Sequence, residues 1–383
     1  MSRRGLLGGS AVGFAAGWNI ANTGAAAGEL SDAYAVGLGA VGLLTTALFV
    51  VHMVMQLPSG RLSDRLGPWP VCASGVAILA ASNCALALSA SMPLATAIRS
   101  LAGVGTALAF IGGSDLVRLS GGSPLAQGIY GGAATAGGGA ALGIVPFVMS
   151  STGWRAPYLT GIVIALLAAV LLVGAPRPPH APSRHATVAL RGIAGDTRLI
   201  QLAILFAASF GLSVAIGNWV AALLEERVGT SASVAGLAAS LTLALGIVSR
   251  PLGGWIMRER PTVLGTAVAA SALVGAGGTI AVAVGSLPVA IGGAAAIGLA
   301  AGIPFATAFT GAAAAVPGSP AAAVGFVNAA GALTILVVTP AVGAALDRDA
   351  GTAAFVTLAV VWAASAAVVP KALGRGSRPP GAP

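Results

Sequence analysis

Polar side chains stand at helical spacing inside stretches that are otherwise apolar, and they set what chemistry this chain can do. His52 and Gln56 lie four residues apart in ALFVVHMVMQLP, so on a helix they share a face, and an imidazole beside an amide can bind a solute or carry a proton. Asn19 and Asn22 stand about one turn apart in GWNIAN, and Asn218-Trp219, Tyr130 and Asn328 place further hydrogen-bonding groups in apolar surroundings. Each asparagine serves equally well as an interhelical hydrogen bond or as a ligand contact. Arg99 sits in TAIRSLAG, away from both ends of its segment, where a charge is costly and therefore a candidate for function. It either snorkels to the outer interface or couples to a substrate or proton. Arg250, in SRPLGG, is the second basic candidate.

Other chemistries lack their parts. The three histidines, at 52, 180 and 185, have no matching set of metal ligands, and no glycine loop carries the Lys-Ser/Thr ending of a phosphate site. Cys72 and Cys84 fall in one apolar segment and imply neither a disulfide framework nor a metal site. No catalytic residue, metal or cofactor is expected; protons are the candidate coupling ion.

The elements that must position these groups are transmembrane helices. The 383 residues are 57% hydrophobic and 8% charged, with a mean hydropathy of +0.94, whereas a soluble chain carries about 25% charged residues. A helical span of the roughly 30 Å hydrocarbon core takes about 20 apolar residues, so this length holds about a dozen. Breaks at charges, Pro and Gly clusters predict spans near 6–27, 36–57, 70–90, 92–114, 125–148, 156–174, 199–223, 231–249, 262–284, 288–310, 320–345 and 351–370. The polar stretch 175–198 separates 1–174 from 199–383, giving six spans, a cytoplasmic linker and six spans. The 56 glycines suit close helix packing in lipid. The opening MSRRGLLGG and later TGAAAG outline a leader peptide, but Gly17, Trp18, Asn19 and Asn22 favour a first span.

With the N-terminus inside, fifteen of the 19 Lys and Arg fall on the cytoplasmic side. Arg155, Arg227 and Arg348 fall outside, and Arg99 within a span. That bias predicts cytoplasmic termini in a multi-pass protein of the cytoplasmic membrane. It also accounts for the net charge of +9 without a nucleic-acid partner. A monomer in the lipid bilayer is expected. Every acidic residue falls in an outer connection or near the cytoplasmic face, so a cationic substrate would find no mid-membrane carboxylate; a neutral or anionic one is favoured.

After the second span the chain reads Gly60-Arg61-Leu62-Ser63-Asp64-Arg65-Leu66-Gly67, which resembles the loop signature of the major facilitator superfamily. Arg250-Pro251-Leu252-Gly253-Gly254-Trp255-Ile256-Met257-Arg258 resembles its repeat in the second half, with Arg258 where aspartate is expected. Arg99-Ser100-Leu101-Ala102-Gly103 is similar to the family's fourth-helix motif, and the glycines from Gly128 to Gly143 with Pro146 to its fifth helix. The resemblance implies an all-α integral membrane fold of twelve helices in two six-helix halves, and a secondary transporter, not an enzyme, working by alternating access on a small-molecule substrate. Substrate or coupling roles are expected, from their polar side chains in apolar spans, for Asn19, Asn22, His52, Gln56, Arg99, Tyr130, Asn218, Trp219, Arg250 and Asn328, and the resemblance implies gating roles for Gly60, Asp64, Arg65, Gly67, Gly254 and Arg258. The Asp64 carboxylate is expected to cap a neighbouring helix N-terminus. Arg250 also sits in a context resembling the nitrate, nitrite and cyanate porters, although Gln56 stands where their second-helix arginine would be. The alternative transport reading is proton-coupled efflux of hydrophobic drugs; a membrane-embedded enzyme or a channel has less support.

Overall fold

A computed structural model describes residues 2–89, 91–178 and 195–370, so most of the expected linker and the basic tail from Lys371 lie outside the described residues. The described residues are helical, with no strand among them. Ten stretches are long and apolar enough to cross a bilayer. One of them, Pro124–Val173, is broken by a 3-10 turn at Gly153–Arg155 into two helices, and Arg3–Ala21 supplies one more, which makes twelve. They are α1 (Arg3–Ala21), α2 (Leu38–Leu66), α3 (Pro68–Ala87), α4 (Met92–Leu119), α5 (Pro124–Thr152) and α6 (Ala156–Val173). The second six are α7 (Thr197–Val228), α8 (Ala232–Glu259), α9 (Pro261–Val284), α10 (Leu287–Ala315), α11 (Pro320–Leu346) and α12 (Gly351–Val368).

The helices run further than the apolar stretches that announce them. The sequence reading ends the second span at 57 and makes Gly60–Gly67 a loop; instead α2 continues to Leu66 and the turn is Gly67, at φ 86°, where a side chain would be strained. Likewise α4 reaches Leu119 and α8 reaches Glu259. Charges such as Arg61, Asp64 and Arg65 mark where the lipid ends, not where backbone hydrogen bonding ends. At the other end of α1 the helix stops at Ala21, short of the expected 27, and a separate short helix, Ala27–Tyr34, intervenes before α2.

Residues group into two compact units. One gathers Met1–Gly122 and Ile129–Ile193 with Val316–Ala329, which begins α11; the other gathers Ser123–Gly128, which begins α5, with Ala194–Ala315 and Ala330–Pro383. In the first unit, Cβ atoms added to Gly17 and Gly137 would run into the backbone of Ala134 and Phe14, so glycine is what lets α1 and α5 touch. The second unit builds its core from Leu212, Ile216, Val220, Val282, Ile297, Phe355 and Trp362. Outward faces stay apolar: Val163, Leu166, Val170 and Val173 on α6 are 55–74% exposed, as suits a lipid-facing helix.

The three arginines that the charge bias leaves outside each have a local task. Arg155 Nε donates to the Ala87 carbonyl at the end of α3 (3.1 Å), and Arg227 donates to Val282 and Gly285 at the end of α9. Arg348, just past the end of α11, donates to the Ala344 carbonyl in the last turn of that helix. Helix C-termini leave carbonyls unsatisfied and partly negative, and a guanidinium there answers both needs.

Candidate functional site

Arg99 repeats that capping chemistry inside the protein. Its side chain is fully buried, and Nη2 donates to the Asn19 carbonyl in the last turn of α1 (3.0 Å) and to Thr23 Oγ1 (3.1 Å). Nη1 reaches Asn22 Oδ1 and Nε reaches the Leu44 carbonyl of α2, both at 3.4 Å. Every one of these partners is a neutral oxygen, so the site keeps its positive charge. The Arg99 side chain turns into the helix bundle and ties α4 to α1 and α2.

The paired asparagines belong to this same knot. Asn22 Nδ2 donates to the Pro157 carbonyl at the start of α6 (2.8 Å), and Asn19 Oδ1 accepts from Asn83 Nδ2 of α3 (2.6 Å). Thr23 and Asn83 were missed in the sequence; an asparagine within an apolar segment was the available signal for Asn83, whereas threonine is common in membrane helices.

Two turns along α2 lies a second polar set. His52 Nδ1 is 2.9 Å from Thr106 Oγ1 of α4, and His52 Nε2 is 2.6 Å from Gln56 Nε2. Thr106 spends its hydroxyl proton on the Gly103 carbonyl (2.9 Å), so it accepts from His52 Nδ1–H. The Nε2 lone pair then accepts from the Gln56 amide, which assigns a neutral, Nδ1-protonated imidazole. The ring stacks on Phe49 and meets Phe110 edge-on. Phe110 in turn packs on Tyr130, whose hydroxyl donates to the Phe110 carbonyl.

The start of α11 packs along this face of α2. Cβ atoms on Gly60 and Gly325 would collide with Ala321 and with the Gln56 carbonyl respectively, so the two backbones touch at both points. Matching 60 with 321 and 56 with 325 makes the helices antiparallel, and one further turn brings Asn328 to the level of His52. The side-chain oxygens Gln56 Oε1, Ser59 Oγ and Asn328 Oδ1 are buried and have no hydrogen-bond partner among the described residues.

At the end of α2, Asp64 takes the backbone N–H of Ala321 and of Ala322, one on each carboxylate oxygen and each at 2.9 Å. Beside it Ser63 donates to Asp115, which pairs with Arg118 at 2.5 Å. Arg65 is exposed. The second-half repeat lacks the carboxylate. Gly254 packs on Pro124 and Leu125 at the start of α5, but Arg258, one turn on, is half-exposed and pairs with Glu259 (2.9 Å).

In the second unit the buried Arg250 guanidinium lies over the rings of Phe305 (4.7 Å) and Phe210 (5.2 Å). Asn218 and Trp219 both reach Thr339 of α11, the indole N–H donating to its carbonyl at 2.8 Å. Of the ten candidate residues, Arg99 joins Asn19 and Asn22, His52 joins Gln56 with Asn328 at about their level on α11, Tyr130 stands behind Phe110, and the α7 pair and Arg250 belong to the second unit.

Several solved structures share this fold across nearly the whole chain. The human organic anion transporter MFSD10 (TETRAN) matches with a TM-score of 0.72 at 15% identity, covering 97% of this chain and 100% of that one. FucP in the outward conformation gives 0.77 at 15% identity, covering 96% and 98%. The proton:xylose symporter XylE, bound to 6-bromo-6-deoxy-D-glucose, gives 0.78 at 14% identity, covering 97% and 96%. No curated protein matches the chain in sequence. None of these findings supports the nitrate, nitrite and cyanate branch in particular. The family model of the Major Facilitator Superfamily matches residues 9–339, and the chain belongs to that superfamily as a multi-pass membrane transporter.

Proposed function

We propose that this secondary transporter moves a small neutral or anionic solute across the cytoplasmic membrane, with both termini on the cytoplasmic side. The observation that carries the reading is Arg99, a fully buried guanidinium held by neutral oxygens alone. In a low-dielectric helix bundle such a charge favours an anion or the electronegative face of a neutral solute and opposes a cation. Arg99 is a positioning residue on this reading, because its own hydrogen bonds go to the protein; His52, Gln56 and Asn328 are the candidate contacts of the first unit, and Arg250 is a candidate of the second by itself. The carboxylates stand at helix ends or in connections, which leaves a cationic substrate without a partner. That one structural relative carries organic anions and others fucose or xylose is compatible with this class.

Asp64 is the proposed gate residue: its cap on α11 must break and reform if that helix end moves during alternating access. Efflux of hydrophobic compounds is the second reading, favoured by the aromatic group Phe206, Phe210, Phe305 and Phe309 around Arg250.

The test is uptake into proteoliposomes of labelled lactate, nitrite, L-fucose and D-xylose, comparing wild type with Arg99→Ala. Saturable uptake of one of them, reduced in the variant, supports the proposal. Transport of lipophilic dyes with no uptake of any of the four replaces it with efflux.

A further inference from the structure

Three buried oxygens on α2 and α11 lack partners among the described residues, and one of them belongs to the amide beside a histidine whose proton position is fixed by its neighbours. His52 keeps Nδ1–H on Thr106 and offers its Nε2 lone pair to the Gln56 amide. Gln56 therefore turns its oxygen, Oε1, away from the ring, and neither Oε1 nor the buried Asn328 Oδ1 finds a donor among the described residues. Leaving such acceptors dry is costly, so the site in this state invites a donor.

Resting on the solute reading above, we infer that His52 and Gln56 form a proton-operated amide switch that selects an oxyanion as the co-transported solute. A proton taken from water adds to the Nε2 lone pair, and Nδ1–H stays on Thr106. The new Nε2–H faces the Gln56 NH2, donor against donor at 2.6 Å, which the amide relieves by turning over. His52 Nε2–H now donates to Oε1, and the NH2 group moves to where Oε1 stood. The unpartnered acceptor at Gln56 is replaced by a donor beside an imidazolium. A carboxylate or other oxyanion is stabilised there only while the proton is bound. Release of both restores the neutral pair, so one proton and one monovalent anion move together without net charge.

The surroundings leave the histidine in command of this switch. Facing it, α4 contributes Thr106 and Phe110, and α5 contributes Tyr130 behind the Phe110 ring; α11, packed along α2, carries the neutral Asn328 at about the same level. The nearest charge on α4 is Arg99, about two turns from Thr106 and engaged with α1. Asp64 on α2 lies twelve residues away, about 18 Å along the helix, and Asp115 nine residues beyond Thr106, about 13 Å.

Two readouts test the switch in liposomes holding the full chain. Nitrogen-15 magnetic resonance of labelled histidine, with His180→Asn and His185→Asn removing the other two signals, reads the tautomer. The expected spectrum is Nδ1–H at alkaline pH, with Nε2 protonated on acidification in the presence of lactate or nitrite. A neutral ring protonated at Nε2 overturns the switch. In flux assays, wild type driven by an inward gradient of one pH unit accumulates lactate or nitrite up to about tenfold, the limit for one-to-one electroneutral coupling. His52→Gln and Gln56→Met are expected to lose that accumulation; accumulation equal to wild type in either variant overturns the inference. Failure of the wild type to exchange either anion overturns the oxyanion assignment while exchange of L-fucose or D-xylose would still uphold the broader solute reading, and the tautomer then decides the switch alone.

Discussion

Asp64 caps the helix that begins at Pro320: its carboxylate receives the Ala321 and Ala322 amides, 2.9 Å to each oxygen. Two N–H groups that the helix cannot satisfy itself, and the positive end of its dipole, are answered by one side chain reaching across from α2. Glycine at 60 lets the backbones come close enough for that reach.

Replacing the cap by Asp64→Asn removes the charge and one of the two acceptors. The expected loss is about 1–2 kcal/mol of stability, read as a lower thermal midpoint in detergent, together with a changed rate of solute exchange. An unchanged midpoint and rate would remove Asp64 from both roles.

The second-half repeat makes the converse prediction. Arg258 stands one turn beyond Gly254, which packs on the first residues of α5, and a cation is the wrong sign for a helix N-terminus. Arg258→Asp is expected to raise stability by about 0.5–1 kcal/mol. A fall in the midpoint would show that the Arg258–Glu259 pair matters more than the missing cap.

Arg99 separates charge from geometry. Arg99→Leu strands the acceptors at Asn19, Asn22, Thr23 and Leu44 and should cost about 3 kcal/mol or more, seen as poor recovery of folded protein. Arg99→Lys keeps the charge but not the planar fork that reaches four oxygens, and should fall between. Equal recovery of all three forms would contradict the capping role.

Close approach of α2 and α11 is testable through glycine. Gly325→Val puts branched carbon against the Gln56 carbonyl and is expected to cost about 1–3 kcal/mol, whereas Gly139→Ala, which meets open space, should be near neutral. Thermal midpoints of the two variants measured side by side check this.

Much of this architecture was legible beforehand, for reasons particular residues make plain. Long apolar runs punctuated by Arg, Pro and Gly announce spans because lipid leaves the backbone no other choice, and the Gly60–Gly67 motif named the family that the matched model establishes. Helix ends were not legible, because Arg61 and Asp64 look like a loop while still satisfying helical hydrogen bonds. Arg99 was found for its cost, but its task was hidden: nothing in TAIRSLAG says that the end of α1 lies within reach of a guanidinium. Thr106 and Asn83 were missed because hydroxyls and amides gain meaning only from what a neighbouring helix presents. His52 and Gln56 were visible as a pair by spacing; the unpartnered Gln56 oxygen emerged only in three dimensions.

The most direct test of the central claim, that the bundle receives a small neutral or anionic solute, is thermal stabilisation of the purified chain. A ligand that binds the folded state raises its midpoint in proportion to the logarithm of its concentration over its dissociation constant. Lactate, nitrite, L-fucose, D-xylose and a lipophilic cation are compared on wild type, Gln56→Leu and Arg250→Leu. A rise with one of the first four, reduced in at least one variant, is the expected result. A rise with the lipophilic cation and none of the others would contradict the account.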